Sequence, residues 1–130
     1  QTCALPIWVD QYAKVANEQI CVLVQIESQE ALDNIEAIAA VDGVDGLFIG
    51  PADLSASMGY VGEPNHPKVR AAIDDAFARI IKAGKAAGFL TPDEELSKRS
   101  IEQGVTFMAV GLDVNLLARH TSALAARFKA

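Results

Sequence analysis

Two short apolar runs, each ending in a carboxylate, constrain the fold of this chain more than any other feature. The first is Val22-Leu23-Val24-Gln25-Ile26, stopped by Glu27-Ser28. The second is Leu47-Phe48-Ile49, stopped by Gly50-Pro51-Ala52-Asp53. Both are too short for a helix to bury and rich in β-branched or aliphatic residues, so they read as parallel strands covered on both faces. Neighbouring strands lie about 4.8 Å apart. In α/β proteins, ligands bind beyond the carboxyl ends of such strands. On adjacent strands, Glu27 and Asp53 converge on one small volume. Two bare carboxylates about 4 Å apart repel by roughly 4 kcal/mol at an effective dielectric near 20. Such a pair needs a shared proton or a divalent cation, and an all-oxygen site suits magnesium or manganese.

Around these runs the pattern alternates. Residues 9–19 read as a short helix with Asp10 near its start and Tyr12, Val15 and Ala16 on one side. The first strand is expected over 21–26, with Cys21 in the core. Ser28 caps a helix to about Ala39, whose stripe is Ala31, Leu32, Ile35, Ile38 and Ala39. The second strand leads to a short helix over 52–58 and a loop over 60–66. Pro67 opens a long helix to about Ala83, with Val69, Ile73, Phe77, Ile80 and Ile81 inward and Gly84 ending it. A third strand falls over 85–90. Thr91-Pro92-Asp93-Glu94 fits a capping box for a helix to about Gln103. The fourth strand is 106–110. The last helix starts at Leu112 or Asp113 and runs to about Phe128, with Leu116, Leu117, Leu124 and Phe128 inward.

Four strands, each followed by a helix, with right-handed crossovers, make a four-stranded parallel sheet. That is half of an eight-stranded barrel, or a free-standing doubly wound sheet. Gly43, Gly46 and Gly50 do not match dinucleotide-loop spacing. A length of 130 residues suits one domain. Residues 1–8 do not continue into the periodicity, are read as a non-native or truncated lead, and receive no role. The formal charge of −6 argues against nucleic acid and anionic membrane as partners. No apolar run approaches a membrane span and no signal segment opens the chain. The two cysteines have no metal-ligand spacing, so a reduced, cytoplasmic setting is the default.

Four blocks carry a family resemblance: Val24-Gln25-Ile26-Glu27; Gly43-Val44-Asp45-Gly46-Leu47-Phe48-Ile49-Gly50-Pro51-Ala52-Asp53-Leu54-Ser55; Met58-Gly59-Tyr60; and Ala109-Val110-Gly111-Leu112-Asp113. They resemble the metal-dependent (class II) pyruvate aldolases, the group of 4-hydroxy-2-oxo-heptane-1,7-dioate, 2-dehydro-3-deoxyglucarate and 2-keto-3-deoxy-L-rhamnonate aldolases. The likeness covers roughly 12–130, and the Phe48–Ser55 block is its most specific part. It implies the C-terminal half of a (β/α)8 TIM barrel and a homo-oligomer, a hexamer in the family. It also implies cleavage of a 4-hydroxy-2-oxo acid to pyruvate and an aldehyde, as in aromatic compound catabolism.

Carried over residue by residue, Glu27 and Asp53 resemble the protein ligands of a divalent metal (Mg2+, Mn2+ or Co2+). Gln25 resembles the side chain facing pyruvate. Ala52 and the backbone N–H of Asp53 resemble the cradle of the pyruvate carboxylate, and Leu90 an apolar wall. The family's general-base His, with its Asp partner, and its enolate-binding Arg come from the first half of the barrel. Neither His66 nor His120 matches that base, so the chain is expected to hold the metal site, to lack the proton-transfer machinery, and to be inactive alone. Lys85 precedes its strand and is no Schiff-base former.

Each residue also has a plainer reading. Glu27 alone is a solvated strand-end residue, Asp53 an N-cap, and Gln25 a hydrogen-bonded core amide. Tyr60, His66 and Asp93-Glu94-Glu95 are loop, cap and helix-dipole residues. Ser55 and Ser57 have no base beside them. Two other functions stand beside the aldolase: an acyl-CoA lyase of the same superfamily, for which no basic cluster is visible, and a non-catalytic half that binds only metal or an oligomer partner.

Overall fold

The structure, a computed structural model, describes residues 11–129. Residues 1–10, including Asp10 and Cys3, lie outside the described part. The elements follow the expected alternation: α1 (Tyr12–Gln19), β1 (Leu23–Ile26), α2 (Gln29–Asp33), α3 (Ile35–Ala39), β2 (Gly46–Ile49), α4 (Pro51–Ser57), α5 (Pro67–Lys82), β3 (Ala86–Leu90), α6 (Glu94–Glu102), β4 (Phe107–Ala109) and α7 (Asp113–Ala126). The four strands form one parallel sheet in the order β1-β2-β3-β4. Ile26 pairs with Ile49, and Ile49 with Phe89, so the carboxyl ends of the strands are level.

One face of the sheet is dry. Ile26, Leu47, Ile49, Ala87 and Phe89 are buried there against Val69, Ile73, Ala76, Phe77 and Ile80 of α5, with Leu32, Ile35 and Leu54 beside them. The rings of Phe77 and Phe89 meet edge to face at 5.4 Å. Each fully buried apolar side chain of this size contributes roughly 1.5–3 kcal/mol. Ion pairs lace the helices outside this core: Arg79 of α5 grips Glu36 of α3, and Arg99 of α6 meets Asp74 of α5 at 2.5 Å.

The other face differs from the expectation of strands covered on both sides. Gln25 is exposed and Phe107 is 53% exposed. Phe48, between them in the row Gln25–Phe48–Gly88–Phe107, is half-buried. Within this row Phe48 lies over Gly88 and meets Phe107 edge to face at 5.9 Å.

Several local expectations are corrected. The helix after Ser28 is two helices, because Asn34 leaves helical geometry (φ −109°, ψ 14°) and its side-chain amide donates to the Glu30 carbonyl at 2.8 Å. Short polar side chains compete with the helix ladder in this way. Cys21 is exposed, not core, since pairing begins at Leu23. Ile81 is 38% exposed and so stands at the rim of its stripe. The cap of α6 is Asp93, which accepts from Leu96 N–H at 2.9 Å, while Thr91 accepts from Asp93 N–H at 3.2 Å. Leu116, Leu117, Leu124 and Phe128 are not inward: α7 follows the edge strand β4, buries no residue, and leaves them 52–83% exposed.

Candidate metal and substrate site

The two carboxylate-bearing turns are held together by their backbones. Gly50 N–H donates to the Ile26 carbonyl at 3.1 Å, so the residue before Glu27 is tied to the residue that caps α4. Two residues past Glu27, Gln29 N–H donates to the Ser57 hydroxyl at the far end of α4 at 3.1 Å. Ser28 accepts from Ala31 N–H at 3.1 Å and starts α2. Glu27 therefore sits on a turn pinned on both sides to α4. The pinning serine was not apparent from sequence, because Ser57 lies 28 residues away.

Gly50 brings the site residues together. A Cβ built on it would stand 3.0 Å from Glu27 Oε2, 3.1 Å from Glu27 Cβ and 3.5 Å from Gln25 Nε2. The carboxylate of Glu27 and the amide of Gln25 thus lie over the same backbone position, in space that only glycine leaves open. Pro51 and Ala52 follow directly, and Asp53 is the third residue of α4, acidic in its first turn. Gln25, Ala52 and Asp53 are exposed, and Glu27 is half-buried. Among the described residues, the side chains of Glu27 and Asp53 enter no ion pair or hydrogen bond of the kind that ties down Glu36 or Asp74.

Leu90, the last residue of β3, shares a cleft with Ala52. Pro51, Ala52, Phe89, Leu90 and Thr91 line a mostly apolar cleft of about 240 Å³, together with Asn65 and Arg70. The family resemblance points to Ala52 and Leu90 as substrate-facing and gives no such signal for Arg70. A lone arginine in an ordinary amphipathic helix gives no sequence signal.

The donor set is limited. No group of three or more His, Cys, Asp or Glu side chains able to hold a metal occurs among the described residues. Two carboxylates with open positions do fit a magnesium-like cation, which keeps several waters and takes one or two protein carboxylates. They do not fit zinc, which takes three or four nitrogen or sulfur ligands.

The other titratable candidates are committed elsewhere. Lys85 donates to the Val44 carbonyl at 2.5 Å, at the opposite end of the sheet. His66 stacks on Tyr60 with ring centroids 3.8 Å apart, and its Nδ1 accepts from Lys68 N–H at 3.3 Å, which caps α5. His120 is exposed on α7. Ser55 donates to the Ala52 carbonyl at 2.7 Å and so shapes the first turn of α4. No helix among the described residues is long and apolar enough to cross a membrane.

A family model described as HpcH/HpaI aldolase/citrate lyase matches residues 7–120. The hydroxypyruvate/pyruvate aldolase of Pseudomonas aeruginosa is 59% identical over 121 residues, 93% of this chain and 45% of the relative. The 4-hydroxy-2-oxo-heptane-1,7-dioate aldolase of Shigella sonnei is 57% identical over 122 residues, 94% of this chain and 47% of the relative. Among solved structures, an HpcH/HpaI aldolase/citrate lyase family protein from Burkholderia cenocepacia superposes with a TM-score of 0.85 at 38% identity, over 93% of this chain and 47% of that one. The chain spans about half the length of the relatives it matches.

Proposed function

The chain belongs to the HpcH/HpaI aldolase/citrate lyase family, and from that premise we propose that it carries the metal and pyruvate site of a carbon–carbon lyase. The proposed reaction cleaves a 4-hydroxy-2-oxo acid to pyruvate and an aldehyde, and runs the reverse addition. The observation that carries this reading is the convergence of Glu27 and Gln25 on Gly50, one turn before Asp53.

Glu27 and Asp53 would hold the divalent cation, Mg2+, Mn2+ or Co2+. When bound, it supplies Lewis-acid stabilisation of the negative charge that develops on the keto acid's oxygens. Gln25 places an amide donor beside that position and orients the keto acid. Ala52 has no side chain beyond its methyl to block the first turn of α4, so the N–H of Asp53 can cradle the pyruvate carboxylate. Leu90 walls the aldehyde side and excludes water. All of these groups bind or orient.

Proton transfer needs a base within hydrogen-bond reach, and neither His66, committed to Tyr60 and the α5 cap, nor exposed His120 offers one. We therefore propose that this chain turns over little by itself and that the base and a charge-gripping arginine come from residues outside it. Self-association is part of the same reading, supported by the apolar residues that α7 leaves exposed.

The test is pyruvate release from a 4-hydroxy-2-oxo acid, by the chain alone and by the chain supplied with the N-terminal half of an aldolase relative. Manganese-dependent release only in the second case is expected. A supplemented chain inert on 4-hydroxy-2-oxo acids contradicts the reading.

A further inference from the structure

The sheet ends in two edges, β1 on one side and β4 on the other. The Val22 carbonyl accepts from Asp45 and Gly46 N–H, and the Ile26 carbonyl from Gly50 N–H. Backbone alternation therefore turns the N–H and C=O groups of Leu23 and Gln25 away from β2. An edge in this state is a template for another strand. Ten of the fourteen large apolar side chains left exposed among the described residues belong to the two edges. Ile20 and Val22 lead into β1, while Phe107, Val110, Leu116 and Leu117 are among those on β4 and the α7 that follows it. The ten expose on the order of 1,000 Å² per chain, above the roughly 800 Å² per partner of a standard interface. The helices at the two edges carry opposite charge. α7 and its end hold Arg119, Arg127 and Lys129 against Asp113 alone, all exposed, whereas α2 holds exposed Glu30 and Asp33 and no cation.

One operation answers all of these features. A two-fold axis along the sheet sets β4 of each copy against β1 of the other, and four parallel strands taken twice make the eight of a closed barrel, with no edge left. In the outer ring of helices, each α7 then lies beside the α2 of the other copy. The row Gln25–Phe48–Gly88–Phe107 becomes interior, and the even strand number keeps its alternation of smaller and larger side chains in step across both joints. A single unlike strand added to one edge leaves the other open. We infer that the open face and both edges bind a second copy of this chain, closing a two-fold, eight-stranded barrel. The inference gives the self-association proposed above a geometry and needs no metal. Because all the strands run the same way, both candidate metal sites open at one mouth, and the segment after β4 of each copy borders Gln25 and Glu27 of the other.

Sedimentation equilibrium of the whole chain in EDTA is the test, so its outcome is separate from that of cation binding. Expected is a dimer at about 50 µM chain, since interfaces of this size bind at micromolar concentration or tighter. Reversing the charge of α7 (Arg119→Glu with Arg127→Glu) and reversing that of α2 (Glu30→Lys with Asp33→Lys) each weaken the dimer at least about tenfold. The two variants mixed in equal amounts dimerise as wild type does, because each α7 again meets an α2 of opposite charge at both joints. All four positions are exposed, so the variants keep the wild-type circular dichroism. Hydrogen exchange at the Leu23 and Gln25 amides slows from dilute to concentrated chain. A monomer at this concentration, a dimer indifferent to either reversal, a mixture no tighter than its parts, or unchanged exchange at Leu23 and Gln25 overturns the proposal. So does a monomer that instead takes up the N-terminal half of an aldolase relative one to one.

Discussion

Gly50 and Glu27 approach so closely that a methyl group on the glycine would stand 3.0 Å from the glutamate's Oε2 and 3.1 Å from its Cβ. The backbone of Gly50 is extended (φ −95°, ψ 93°), so alanine is allowed there on dihedral grounds. Gly50→Ala therefore acts through contact alone. It pushes Glu27 and Gln25 aside by a few tenths of an ångström, and manganese affinity is expected to fall by about tenfold, the cost typical of a disturbed supporting group. Thermal stability should change little. Isothermal titration with Mn2+ beside a melting curve reads both quantities.

Across the open face, Gly88 lies under the ring of Phe48, and a Cβ there would meet Phe48 Cδ2 at 2.5 Å. Phe48 in turn packs edge to face on Phe107 at 5.9 Å. Gly88→Ala should destabilise the chain by about 1–3 kcal/mol, as overpacking does. Phe48→Ala in the same chain should remove most of that cost. Urea unfolding of the two single variants and the double variant gives the coupling between the sites.

Glu36 carries a pH signature. The Arg79 guanidinium hydrogen-bonded to its carboxylate holds its pKa down at about 2, from an ordinary 4.5, and raises that of Arg79. The folded value lies below the unfolded one. The contribution is thus fully present above about pH 4.5 and is lost as pH falls through the folded value of about 2. Because the pair is exposed, the effect is small and screened by salt. Melting temperatures of wild type and Glu36→Gln should differ at pH 6 and converge as pH approaches 2, and salt should narrow the gap at pH 6.

Phe77 and Leu117 should separate cleanly by truncation. Phe77 is 1% exposed and packs on Phe89, while Leu117 is 67% exposed on α7. Phe77→Ala is expected to cost about 3–5 kcal/mol. Leu117→Ala in dilute chain should stay within about 0.5 kcal/mol. Denaturant midpoints decide, and a Leu117 effect as large as that of Phe77 would mean that α7 is buried in solution.

Much of the fold was legible because each clue was local. Pro67 and Gly84 bracket α5, and Val69, Ile73, Phe77 and Ile80 fall on one stripe that is in fact buried. The parallel sheet follows from the alternation and right-handed crossovers, and its consecutive order, β1-β2-β3-β4, is that of a half barrel and not of a doubly wound sheet. What was not legible depended on groups remote in sequence. That Cys21 lies outside the sheet is decided by where pairing with Gly46 begins, one strand away. The leucines of α7 repeat at helical spacing but face no partner, and periodicity reports a stripe without saying what covers it. Asn34 breaks its helix through one side-chain bond to Glu30, and such a bond leaves the apolar pattern untouched. Around the candidate site, the place of Glu27 directly after β1 and of Asp53 shortly after β2 was readable. The part played by Gly50 and Ser57 in setting the Glu27 turn required coordinates.

Titration of the chain with Mn2+, followed by the electron paramagnetic resonance of the free ion, tests most directly whether Glu27 and Asp53 share one cation. The expected result is one site per chain, weakened at least about tenfold by Glu27→Gln and equally by Asp53→Asn, with no further loss in the double variant beyond background. Binding that survives both substitutions, or a chain that takes up no manganese at all, would contradict it.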